Sequence, residues 1–115
     1  MASDCLFCRI VRGEIPASIV RDTEDLVAFR DINPQAPVHL LLIPKRHIAN
    51  LDDLKPEDAP IVAKLMLGAA ELARREGIAT DGYRVVMNCN AGGGQTVFHL
   101  HAHLLGGRQM HWPPG

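Results

Sequence analysis

Ten consecutive residues, Thr96-Val97-Phe98-His99-Leu100-His101-Ala102-His103-Leu104-Leu105, constrain this chain more than any other stretch. Polar and apolar residues alternate, the period of a half-buried β-strand, so one strand is predicted over 96–105. His99, His101 and His103 then share one face, and Leu100, Ala102 and Leu104 the other. The aliphatic face packs on a core. Three imidazoles in a row add nothing to a core and are costly to bury without partners. They fit ligands for zinc or copper, or a nucleophile or general base whose neighbours tune its charge. The plain alternative is a solvated strand face. The glycine run Ala91-Gly92-Gly93-Gly94-Gln95 comes just before. Successive glycine N–H groups form an anion-binding nest or a simple flexible turn. Feeding directly into three histidines, the loop favours an anion held beside an imidazole, with phosphate the natural candidate.

A chain of 115 residues, 47% of them hydrophobic, makes one domain with a modest core. The net charge is −1, and no long basic run or aromatic-basic patch is present, so nucleic acid is not an expected partner. Met1-Ala2-Ser3-Asp4 lacks the basic start and apolar run of a signal peptide. The most apolar stretch, Val38 to Pro44, is far too short to span a bilayer. No membrane partner is expected, and the cytoplasm is the default location. Cys5, Cys8 and Cys89 are an odd count, which argues against a disulfide framework.

Cys5-Leu6-Phe7-Cys8 has the C-x2-C spacing of a zinc knuckle, although two thiolates do not close a tetrahedron. A pair of small buried residues opening a helix explains the spacing equally well. Leu6, Phe7, Ile10 and Val11 predict a short amphipathic helix that ends at Gly13. Strands are predicted over 18–21, 26–29, 38–44 and 83–88, in addition to the histidine strand. The third of these is apolar on both faces and therefore central. Between strands two and three, residues 31–37 form a proline-punctuated loop. There Asp31 and Asn33 either cap the backbone or, for the acid at a strand end, bind ribose hydroxyls. His39 and His47, taken singly, read as hydrogen-bonded structural histidines. The main helix opens at Pro56-Glu57-Asp58, buries Val62, Leu65, Met66, Ala69, Leu72 and Ala73, and stops near Gly77. Lys64, Arg74 and Arg75 are solvated. Short turns and one long helix predict an α+β domain with a mainly antiparallel sheet. The irregular tail 106–115 carries Trp112, the only tryptophan, which docks on its own domain or on a partner subunit rather than fraying.

The segment from His99 to Leu105 matches His-φ-His-φ-His-φ-φ, φ being apolar, at every position. With it stand Glu14-Ile15-Pro16-Ala17, Ala28-Phe29, Asp31-Ile32, Pro34-Gln35-Ala36-Pro37, Ile43-Pro44-Lys45, Gly82-Tyr83-Arg84, Gly93-Gly94-Gln95 and the tail. In these motifs the chain resembles the histidine triad (HIT) family, specifically its Hint branch of nucleotide-binding proteins, over essentially its full length. The resemblance implies a single HIT domain over 1–115. Its fold would be a five-stranded antiparallel sheet with one long and one short helix. Two such sheets would join across a homodimer, with residues 106–115 at the interface and active site and Trp112 near the partner subunit.

It further implies hydrolysis of purine nucleoside phosphoramidates and aminoacyl-adenylates, that is, amine or aminoacyl conjugates of AMP or GMP, through a nucleotidyl-histidine. A purine-nucleotide-binding regulatory module with incidental turnover is the competing function. By resemblance His101 is the nucleophile, supported by His103, His39, His99 and Thr96. Asp31 would hold the ribose. Phe7, Ile10, Ile15, Phe29 and Ile32 would wall the purine, while Asn88, Gly94, Gln95 and Thr96 would contact the phosphate and leaving group together with His101 and His103. Thr96 stands where vertebrate members usually carry serine; it keeps the hydroxyl and adds a methyl that would restrict the leaving group. Catalysis would require no cofactor. Some bacterial members bind structural zinc through a set that corresponds here to Cys5, Cys8, His47 and His99, and with zinc bound His99 is no proton donor.

Overall fold

The computed structural model describes residues 4–115. Met1, Ala2 and Ser3, part of the start that reads as no signal peptide, lie outside the described residues. A short helix, α1 (Leu6–Val11), opens the chain, capped by the Cys5 side chain, which accepts from the Cys8 N–H. Gly13 follows at φ +74, the left-handed geometry that ends a helix cheaply only at glycine. Strands β1 (Ile19–Asp22), β2 (Leu26–Arg30) and β3 (Val38–Pro44) form a meander. A 3-10 turn at Pro56–Asp58 leads into α2 (Ala59–Arg75), and β4 (Tyr83–Val86) and β5 (Ala102–Gly106) complete the chain. The five strands are antiparallel throughout, in the order β1-β2-β3-β5-β4. This is the predicted α+β architecture, with β3 central and over the bounds predicted for it.

The strands' period of two builds two cores. Leu26, Ala28, Leu40, Leu42, Leu100 and Leu104 meet Leu65, Ala69, Leu72 and Ala73 of α2 on one face. Val27, Phe29, Leu41 and Ile43 meet Phe7 and Ile10 of α1 on the other. β3 is apolar on both sides because both sides are covered. Within α2 the buried stripe is Leu65, Gly68, Ala69, Leu72 and Ala73. Val62 is only half-buried and Met66 is exposed, so the predicted stripe extends one residue row too far. Gly68 takes the remaining place, because a Cβ there would sit 3.3 Å from Leu42 Cδ2. The ion pair Lys64–Asp25 and the bidentate Arg30–Glu76 contact tie the helix to β2 and its flanking turn. Among the described residues no helix is long and apolar enough to cross a membrane.

One predicted strand is half its expected length. β5 begins at Ala102, and residues 96–101 are not strand. The β3–β5 ladder ends at Leu42↔Ala102, whereas Ile43 and Pro44 pair with β2 alone. Residues before 102 therefore have no neighbouring strand. Their backbone turns elsewhere: the Leu100 N–H donates to the Ile48 carbonyl at 2.6 Å.

Candidate active site

The shortened strand separates the three histidines. His103 lies within β5 and points to the α1 face, opposite Leu41 in the register. His99 and His101 precede the strand, both buried, His99 completely. The ring of Phe7 stands edge-on to both, with centroids 5.9 Å from His99 and 5.1 Å from His101. The expected single face of three imidazoles is thus two groups divided by one aromatic ring.

His101 and His103 face a cavity of about 260 Å³, with ring centroids 5.0 Å apart. Its apolar wall includes Phe7, Ile10, Ile15, Phe29, Ile32 and Val97; Asp31 and Thr96 also line it. Ile32 is fully exposed at the rim, an arrangement that leaves apolar surface ready to cover a flat ring. Pro16, Ala17 and Leu41 also line the cavity. Pro16 and Ala17 stand in a motif of the resemblance and Leu41 in the apolar register of β3, but the sequence assigns none of them to this wall.

Hydrogen-bond partners determine which nitrogen of each ring carries the proton. His101 Nδ1 lies 2.6 Å from the His99 carbonyl oxygen. A carbonyl only accepts, so Nδ1 carries the proton and Nε2 keeps a free lone pair. His39 Nδ1 accepts the Gln35 backbone N–H at 3.0 Å, so the His39 proton is on Nε2. That Nε2 is 2.9 Å from His103 Nδ1 and 3.4 Å from Asp31 Oδ2. His103 Nδ1 is then the acceptor, and the His103 proton is on Nε2. Burial lowers the pKa values of His39, His99 and His101, and lowers that of His103 to about 4 with help from its charged-state repulsion by His101 and His39. Each shift favours the neutral ring, in keeping with the single-proton assignments.

A second cluster lies beside the first. His99 Nε2 donates to the Pro44 carbonyl at 2.7 Å, which leaves Nδ1 bare. That nitrogen is 3.3 Å from Cys5 Sγ, 3.5 Å from Cys8 Sγ and 3.2 Å from His47 Nδ1, and Cys8 Sγ is 3.3 Å from His47 Nδ1. Donors around a tetrahedral zinc stand about 3.3–3.8 Å apart, given bond lengths of about 2.0–2.3 Å. The donor set fits, and a carbonyl holding the far side of an imidazole is the usual support for such a ligand. Asp31, His39 and His103 also bring three donor atoms within 4.8 Å of one another. There the His39 Nε2 is protonated, so this second set is a hydrogen-bonded relay and not a metal cradle.

Three residues expected at the phosphate stand outside the lining of this cavity. Of the described residues, Asn88, Gly94 and Gln95 do not line the cavity. Gln95 is buried, accepting from the Asn90 N–H at 2.8 Å and donating to the Ala49 and Val97 carbonyls at 2.9 and 3.0 Å. It braces the loop. Gly94 sits exposed at φ +85, and Asn88 is half-buried just past β4. Trp112 is 85% exposed in the tail. The Asx turn at Asp31 also forms, with its Oδ1 accepting the Asn33 N–H at 2.8 Å, while Oδ2 faces His39. Sequence reasoning missed the backbone groups that orient the rings, the carbonyls of Pro44 and His99 and the N–H of Gln35. No residue type marks them.

A five-stranded antiparallel sheet thus carries a cavity with two histidines on its short-helix face, and the comparisons give the chain a family. The HIT domain model matches residues 12–110, and the chain belongs to the HIT family. A HIT family hydrolase from Legionella pneumophila superposes with TM-score 0.96 at 55% identity, covering 97% of this chain and 100% of that one. The HIT family hydrolase from Clostridium thermocellum gives 0.93 at 46%, covering 96% of each. In sequence the chain is 47% identical to the purine nucleoside phosphoramidase of Escherichia coli, over 96% of this chain and 92% of that one. It is 51% identical to an uncharacterised HIT-like protein of Synechococcus elongatus over the whole of both.

Proposed function

We propose that the chain hydrolyses purine nucleoside 5′-phosphoramidates and aminoacyl-adenylates, with His101 as the nucleophile. The observation that carries this reading is the His99 carbonyl on His101 Nδ1, which leaves a lone pair on Nε2 facing an apolar-walled cavity. The E. coli phosphoramidase supports the P–N bond as the target. In the first step the His101 Nε2 lone pair attacks the α-phosphorus and the P–N bond breaks. The departing nitrogen keeps its bonding pair and takes up one proton from solvent, relayed through the Thr96 hydroxyl at the cavity wall. In the second step water attacks the phosphorus, the P–Nε2 bond breaks, and the water's proton is released. The His103 Nε2–H donates to a non-bridging phosphoryl oxygen as negative charge builds there. The His101 Nδ1 keeps its proton and donates it in a hydrogen bond to the His99 carbonyl, which stabilises the cationic nucleotidyl-imidazole. Asp31 takes the ribose hydroxyls, and Phe7, Ile10, Ile15, Phe29 and Ile32 enclose the purine of AMP or GMP.

Cys5, Cys8, His47 and His99 hold a structural zinc in this reading. Its role is to pin α1 to the segment ahead of β5, and His99 then supplies no proton. The protein acts as a homodimer in which two sheets join and the tail, with Trp112, packs toward the partner subunit. The large exposed area of Trp112 supports that reading, and sedimentation velocity tests it. Alkali-quenched intact-mass analysis during turnover of an amine-linked AMP tests the chemistry, because a phosphorus–imidazole bond survives alkali and hydrolyses in acid. A nucleotidyl adduct mapping to His101 is expected; turnover with no adduct under any quench overturns the covalent route.

A further inference from the structure

The tail residues Gly107 and Arg108 reach the loop that orients His39. Arg108 Nε donates to the Gln35 carbonyl at 3.0 Å. A Cβ on Gly107, which sits at φ +91, would lie 2.9 Å from Pro37 Cβ, so the tail backbone lies tightly against that loop. The same Gln35 gives its N–H to His39 Nδ1, and His39 Nε2 meets His103 Nδ1. The loop between Pro34 and Pro37 contains two prolines that have no N–H, which leaves it few backbone donors of its own. Gln35 is held at its carbonyl by the tail and at its N–H by His39.

We infer that Arg108 is a positioning residue: by holding Gln35 against the tail it keeps His39 and His103 in their Nε2–H forms and so aims the His103 proton at the substrate. The carbonyl and the N–H of Gln35 belong to different peptide groups, so the action is mechanical and not a polarisation passed along one amide. Without the clamp the Gln35 N–H drifts from His39 Nδ1. The ring is then free to place its proton on either nitrogen, and His103 loses a defined donor. The tail would thereby act on chemistry it does not touch. The turnover consequence rests on the phosphoryl-transfer reading above; the proton placement does not.

The test is long-range ¹H–¹⁵N NMR of the imidazoles in the full, metal-loaded, unliganded protein. In the parent, Nδ1 of both His39 and His103 should show the shift of an unprotonated nitrogen. In Arg108→Ala both should move toward the average of mixed tautomers, and Arg108→Lys should restore part of the shift. Arg108 is exposed, so its truncation leaves the core intact. Gly107→Ala, which pushes the tail off Pro37 while keeping the guanidinium, should produce the same movement. For an amine-linked AMP, kcat should fall about tenfold in Arg108→Ala with KM changed less, a fraction of what a placed proton donor supplies. Parent-like imidazole shifts in both Arg108→Ala and Gly107→Ala overturn the inference. If the parent shows the expected shifts and their movement but hydrolyses no phosphoramidate, the functional reading fails and the positioning role stands.

Discussion

The Nδ1 of His101 and the carbonyl oxygen of His99 are 2.6 Å apart, so the residue whose ring faces the cysteines also sets the tautomer of the proposed nucleophile through its backbone. The two clusters share a residue but divide it: the ring of His99 serves one and its main chain the other. This arrangement makes the functions separable by mutation.

Replacing the ring of His101 tests the nucleophile alone. His101→Ala should reduce steady-state turnover of an amine-linked AMP by about three orders of magnitude or more, because a covalent route has no substitute group. AMP should still bind within several-fold of the parent by calorimetry, because the purine wall and Asp31 remain. Turnover at the parent rate would show that His101 is not the nucleophile, whereas a parent protein without turnover would be a nucleotide-binding module.

Thr96 is tested by comparing leaving groups. An amine leaves badly without a proton, whereas the carboxylate of an aminoacyl-adenylate leaves without one. Thr96→Val should lower kcat about a hundredfold on the amine-linked nucleotide and far less on the aminoacyl-adenylate. Thr96→Ser should retain activity on both. Equal losses on the two substrates would remove the hydroxyl from the proton path.

Zinc content is expected near one per chain in protein purified without chelator. Cys8→Ser should bind substoichiometric zinc and melt on the order of 10 °C lower, as loss of a structural metal in a domain of this size implies. Elemental analysis and a thermal melt read the two effects. A Cys8→Ser variant with undiminished zinc would locate the metal elsewhere.

The buried imidazoles predict a stability profile. Burial lowers the pKa of His103 to about 4 and pushes His39 down as well. The unfolded chain, with histidine near 6.5, binds more protons than the folded one between these values. Stability should therefore rise with pH across about 4 to 6.5 and fall as pH drops through that window. Urea midpoints at pH 7 and pH 5 measure it, and His103→Gln should flatten the slope. A midpoint that is unchanged over the window would show that the rings are not held neutral by the fold.

The fold was largely legible because its strands advertise themselves. β3 is a run of seven residues apolar on both faces, and its bounds agree with the prediction. β5 was overextended for a physical reason. Alternation records which way side chains point, and says nothing about whether a neighbouring strand is there to pair; β3 had already turned to β2 alone by Ile43. Within the site, the side chains were legible by type and spacing, as with His101, His103 and Asp31. The pairing of Cys5 and Cys8 with His47 and His99 joins residues up to 94 positions apart, and only the family resemblance brought them together. The orienting carbonyls and the Gln35 N–H carry no sequence signature at all.

Leu65 lies fully buried on the α2 side of the sheet, away from the cavity. Leu65→Ala should cost about 3 kcal/mol of stability while leaving kcat per folded molecule unchanged. The comparison of urea midpoints with active-site-normalised rates decides it; a parallel loss in rate would couple the two faces.

The division of one sheet into two cores has a wider meaning. The face under α2 carries most of the large buried side chains, and the face under α1 carries the cavity lined by His101 and His103. The central strand is the partition between the two, since alternate residues of β3 belong to one core and then the other.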